Sequence, residues 1–246
     1  MMDAYTHLDV TAPDPIADFK ARMTSAEIDR ALVIETWKGD NYSSLRTLIA
    51  SGLPQFRVVP CFRPEDHLPA LDLFDSGMVA GVRAKSADLC RMGNLAGRLE
   101  SLGKWVVLHA EQGIGPLTCE LGELLSRYPK LRVYLPHCGW PRQNKLDDKN
   151  WEKSIEELNR LPNVVAGISA IAHFSREAFP HNDIRSFVAQ LVDAFGADSI
   201  VAGSDFPMFE MSLYTDYIRL AQELIKQEDA SWSPQFESLI FNTTGI

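Results

Sequence analysis

Residues 105–109 read WVVLH, an amphipathic stretch PLTCELGELLSRYP begins at Pro116, and RVYLPH follows at 132–137. A short apolar run rich in Val and Leu, a segment with helical periodicity and a second apolar run make a β-α-β unit, which pairs its strands in parallel. The same alternation extends in both directions. Strand candidates are Ala4–Leu8, Ala31–Glu35, Phe56–Phe62, Val79–Arg83, Trp105–His109, Arg132–His137, Val164–Ser169 and Ile200–Asp205. Helical stretches lie between them. In DIRSFVAQLVDAFG, Phe187, Leu191, Val192 and Phe195 follow the spacing of a buried stripe, with Asp183 placed to cap the start and Gly196 to close the end. Eight such units in 246 residues predict an α/β fold, a (β/α)8 TIM barrel forming one domain over 1–246. The competing fold, a doubly wound open sheet, usually carries a glycine-rich nucleotide turn after its first strand. Here that strand runs into HLDVTAPDP, which also argues against a dinucleotide enzyme.

Composition narrows the class. The chain is 46% hydrophobic and has a net charge of -9 with no basic stripe, so neither nucleic acid nor an anionic membrane is an expected partner. No run approaches a membrane span and no secretion signal opens the sequence, so a cytoplasmic protein is expected. Cys61, Cys90, Cys119 and Cys138 are scattered, which suits buried thiols rather than a disulfide framework or zinc knuckle.

In a barrel the chemistry collects at the C-terminal ends of the strands. Those ends hold Tyr5 and His7, Glu35, Arg63, Arg83 and Lys85, His109, His137, Ser169 and Asp205. Three histidines and an aspartate at one end of a barrel suit a divalent ion. His7, His109 and Asp205 would supply three ligands and leave a position for water, whose pKa the metal lowers. His137 is then a fourth ligand, a partner that orients one, or the group that moves the proton.

In this order the motifs resemble the amidohydrolase-related family of TIM-barrel metal-dependent hydrolases, which includes lactonases and nonoxidative decarboxylases. The matches are DAYTHLD with Asp3, Tyr5 and His7, GVRAK with Arg83, VVLHAE with His109, PHCGWP with His137, GSDFP with Asp205 and FNTTGI with Asn242. The resemblance implies one divalent metal, zinc, on His7, His109 and Asp205, with Asp205 and His137 catalytic. It departs at Tyr5, which stands where the family has the first histidine of H-x-H. Tyrosine is a poor zinc ligand, and the family also contains lactonases that work without a metal, with the strand-eight aspartate as base and arginines holding an acidic substrate.

The expected substrate is therefore a small acidic lactone or ester opened by activated water. The alternatives are decarboxylation of an aromatic or muconate-type acid, and a barrel that binds a ligand without turnover. Arg83 is the first choice for a substrate carboxylate, with Arg63 and Arg142 behind it; Tyr5 and Trp140 are the other substrate-binding candidates, Trp140 as a wall of the pocket or a packing residue. Glu111 either orients His109 or faces solvent, and His67, His173 and His181 read as surface residues. Trp151, Ile155 and Leu158 are expected to face inward on the helix that follows PHCGWP. A homo-oligomer is left open.

Overall fold

The computed structural model describes residues 1–37, 41–64, 74, 76–110, 113–114, 117–141, 149–161, 163–208, 214–227 and 234–241. Arg142, Glu111, His67 and Asn242 lie outside them. Eight parallel strands are present: β1 (Met2–Thr6), β2 (Arg30–Ile34), β3 (Phe56–Val59), β4 (Gly81–Lys85), β5 (Trp105–His109), β6 (Arg132–Leu135), β7 (Val164–Ile168) and β8 (Ile200–Ala202). The ladder runs β1-β2-β3 and β4 through β8 in sequence order. Two seams complete it. Ala80 N donates to Val58 O (2.9 Å) and Arg83 N to Pro60 O (2.8 Å) between β3 and β4; Asp205 N donates to Tyr5 O (2.9 Å) and His7 N to Phe206 O (2.7 Å) between β8 and β1. The sheet therefore closes as a barrel, and the TIM-barrel expectation holds.

Each predicted strand is found, but several end early. Pro136–His137, Ser169–Ala170 and Gly203–Asp205 leave extended geometry, with His137, Ala170 and Asp205 at φ +56°, +55° and +60°. The polar strand ends turn outward to build the mouth instead of continuing the ladder.

Helices pack outside. Asp14 caps the first helix, α1 (Pro15–Ser25), by accepting from Ala17 N at 3.0 Å. The expected cap at Asp183 is not made. Asn182–Ile184 is a 3-10 turn, the α-helix begins at Arg185, and the Asp183 carboxylate accepts instead from Ser175 Oγ and Arg176 N. Gly196 closes that helix at φ +76°, its N–H on Val192 O, and Trp151, Ile155 and Leu158 are buried as expected. Only Cys61 and Cys138 are buried thiols; Cys90 and Cys119 are exposed. No helix among the described residues is long and apolar enough to cross a membrane.

The barrel interior is a separate apolar cluster that includes Met2, Ala4, Tyr5, Leu32, Ile34, Val107, Tyr134 and Val201. Phe236 from the helix at Pro234–Phe241 joins it, its ring 4.9 Å from Trp105 and 5.1 Å from Tyr134. Strict alternation along β1 would place either Ala4 or Tyr5 inside. Both are inside because the β1–β2 register slips between Asp3 and Thr6. This bulge re-aims the rest of β1 so that Tyr5 lies beneath the mouth and His7 lines it.

Candidate active site

Asp205 is the centre of the mouth. Its carboxylate is buried, with Oδ1 3.4 Å from His7 Nε2 and 3.9 Å from His137 Nε2. Burial alone would raise the acid, but the imidazoles of His137 and His7 facing it outweigh that and hold it below the ordinary carboxylate value. The backbone at φ +60° is fixed from both sides by Asp205 N on Tyr5 O and Met208 N on Asp205 O (3.0 Å).

Asp3 underwrites that turn. Its carboxylate is wholly buried and accepts from Ser204 N (2.9 Å), Ser204 Oγ (2.6 Å), Tyr5 N (3.2 Å) and Tyr214 OH (3.2 Å). Burial pushes it up to about 6 despite these donors. Gly203 completes the seam, because a Cβ there would lie 2.7 Å from Tyr5 Cβ and 2.8 Å from Tyr5 N.

His7 is set by its other nitrogen, Nδ1, which donates to Ile34 O at 2.6 Å and leaves Nε2 turned to Asp205. His137 opens a run of positive φ through Cys138, Gly139 and Trp140 (+56°, +52°, +73° and +52°). Three of these are non-glycine residues, each costing roughly 1–3 kcal/mol, so the turn persists only because its surroundings hold it. The holds are His137 N on Ser169 Oγ (3.1 Å), His137 Nδ1 against the same oxygen (2.9 Å), and Trp151 Nε1 on Cys138 O (3.1 Å). Burial pushes His137 down to about 3, although Asp205 pulls the other way. Trp140 packs edge-on to both His137 (4.5 Å) and His109 (4.8 Å) and donates to Leu108 O at 3.2 Å, which sets it at the side of the mouth.

His109 takes a different partner. Arg83, 5% exposed, donates Nη2–H to His109 Nδ1 at 2.9 Å and Nη1–H to Glu35 O at 2.9 Å. Guanidinium has donors only, so Nδ1 is the acceptor and the neutral ring carries its proton on Nε2. Burial first, and then the Arg83 charge, push His109 down to about 3.

This geometry does not suit the zinc set expected of His7, His109 and Asp205. A ligand imidazole needs a free lone pair. The Nδ1 pair of His109 is occupied, its Nε2 is protonated, and a fixed cation stands beside it. Among the described residues no three His, Cys, Asp or Glu side chains are grouped to hold a metal. Tyr5 adds nothing as a ligand: burial pushes its phenol well above the ordinary value, with Arg83 opposing. Its ring is wholly buried, edge-on to His137 (4.4 Å) and His7 (5.3 Å), so it floors the mouth.

The family model described as "Amidohydrolase" matches residues 45–233. The chain belongs to the amidohydrolase family. Over 89 residues this amidohydrolase is 32% identical to an L-fucono-1,5-lactonase of Burkholderia ambifaria, a match that covers 35% of this chain and 30% of that protein. A probable 2-pyrone-4,6-dicarboxylic acid hydrolase from Acinetobacter baumannii, solved with citric acid bound, superposes with a TM-score of 0.77 at 19% identity over 98% of both chains. An amidohydrolase from Burkholderia multivorans with bound zinc gives 0.75 at 15% identity, also over 98% of both. At these identities the two structures establish the fold alone.

The sequence places His7, His137, Asp205, Tyr5 and Trp140 around one mouth, and they meet there. Arg83 lies beneath His109 rather than open to solvent. Arg63 is tied to Glu35 Oε1 at 2.5 Å. His173 is exposed, as expected. His181 is buried against Tyr217, with Nδ1 on Glu177 O (2.8 Å), and is a packing residue rather than a surface one. The sequence places Asp3 in the DAYTHLD motif without a role for its carboxylate, and does not single out Ser204 or Trp37. The signal for Trp37 was its place just beyond β2, level with the other strand ends.

Proposed function

We propose that this amidohydrolase opens a small lactone by a metal-independent route. The observation that carries the reading is the Arg83–His109 hydrogen bond, which turns the expected ligand into a fixed neutral donor. Water lies against Asp205 Oδ1, between the imidazoles of His7 and His137. Asp205 takes a proton as the water oxygen attacks the carbonyl carbon. The carbonyl electron pair moves onto oxygen, where His109 Nε2–H receives the growing charge with Arg83 behind it. The tetrahedral intermediate then collapses, the ring C–O bond breaks, and the leaving alkoxide takes the proton from Asp205. The product is a hydroxy acid. The lactonase and pyrone-hydrolase names among its relatives support this substrate class.

A panel of neutral and carboxylated lactones, assayed with and without chelator, tests it. Ring opening that survives chelation and is lost in Asp205→Asn is expected. Carbon dioxide release without ring opening would replace hydrolysis by decarboxylation, and ligand binding with no turnover of any panel member would leave a binding barrel.

A further inference from the structure

The net charge is -9, yet one side of the mouth is positive. Trp37, just beyond β2, has Lys85 Nζ 4.6 Å from its ring centroid, Arg63 Cζ at 5.6 Å and Arg83 Cζ at 5.7 Å, with the His109 ring at 5.9 Å. Glu35 compensates Arg63. Lys85 and Arg83 have no carboxylate partner among the described residues, and Lys85 is exposed in register with His109. Trp37 Nε1 is buried and makes no hydrogen bond among the described residues.

Packing cations together around one indole costs repulsion, which cation–π attraction only partly offsets. An arriving anion removes that cost. The orphaned indole N–H gives it a directed donor and Lys85 gives it a charge. Arg83 cannot do this with a free fork, since its two Nη groups are committed to His109 and Glu35.

We propose that Lys85 and Trp37 form a carboxylate subsite beside His109, so that the preferred substrate is a lactone carrying a carboxylate on its β4 side. This rests on the hydrolase reading above and assigns the specificity of the same mouth to two residues outside the catalytic group.

Calorimetric binding of citrate, an inert tricarboxylate, tests it without turnover. Citrate is expected to bind the parent and the surface-charge control Lys153→Met equally, Lys85→Met about tenfold more weakly, and Trp37→Phe, which keeps an aromatic face and loses the N–H, more weakly than the parent. With a carboxylated lactone, Lys85→Met should raise KM far more than it lowers kcat. Citrate binding that is absent in the parent, unchanged in Lys85→Met or equally weakened in Lys153→Met overturns the subsite. Citrate binding that depends on Lys85 in a protein that opens no lactone upholds the subsite and removes the hydrolase reading.

Discussion

Arg83 Nη2 donates to His109 Nδ1 across 2.9 Å, so a charge on β4 decides which nitrogen on β5 carries the proton. Arg83→Met releases that choice. The His109 tautomer should then become mixed, seen in its ring 15N shifts, and kcat on a responsive lactone should fall by about 10²- to 10³-fold, the usual loss for an oxyanion donor. A variant that keeps both the Nε2–H signature and full activity would remove Arg83 from the mechanism.

Asp205→Asn should lose about 10²- to 10⁴-fold in kcat while the circular dichroism spectrum and melting point stay near the parent's. Because His137 and His7 hold the parent carboxyl low, the acid limb of kcat/KM should fall below the ordinary carboxylate range. A limb near pH 6 would point to a different base.

Metal content gives a third test. Purified protein should hold less than about a tenth of an equivalent of any divalent ion, against the full equivalent of a tetrahedral zinc site. Tyr5→His alone should not create zinc binding while Arg83 remains beside His109. The double variant Tyr5→His/Arg83→Met should, a non-additive outcome readable by titration.

Stability should fall on acidification. His109 and His137 titrate near 3 in the folded chain and near 6.5 when unfolded, so below pH 6.5 the unfolded state takes up protons that the folded state refuses. Asp3 acts oppositely: raised to about 6, it favours the fold at low pH and loses that contribution as pH rises from 3.8 through 6. The two imidazoles outweigh the one carboxyl. The melting temperature should therefore drop between pH 6.5 and 4, and His137→Gln should flatten the slope.

Gly203→Ala would push a methyl into Tyr5 Cβ and N at the β8–β1 seam. Overpacking of this kind costs about 1–3 kcal/mol. For a chain of this size that lowers the melting temperature by about 2–4 °C per kcal/mol. Gly196→Ala, at a site with no atom within 4 Å of the added carbon, separates steric clash from the cost of a positive φ.

Much of this was legible in the chain. Strand-length apolar runs such as WVVLH and helical stripes such as Phe187-Leu191-Val192-Phe195 fix the layers, because burial enforces periodicity wherever one face meets the core. The residues at the mouth were legible by position, since strand ends all face one way. What pattern could not supply was the partner of each polar group. His109 reads as a ligand until Arg83, 26 residues earlier, is seen on its Nδ1. Asp3 reads as part of a motif until its carboxylate is found holding Ser204. The bulge in β1 was hidden for a related reason: it exchanges the faces of a strand while leaving every residue in place.

Asp3 and Ser204 stand 201 positions apart, and that separation has a consequence for synthesis. At about 5–20 residues per second a ribosome needs on the order of ten seconds or more to travel from one to the other. For all that time the first strand has no β8 beside it, and Tyr5 O and His7 N lack their partners Asp205 N and Phe206 O. Catalytic competence therefore arrives late and at once, when the last strand emerges and docks. A chain stalled before residue 204 would carry both side chains and no activity, which makes turnover a direct report of ring closure.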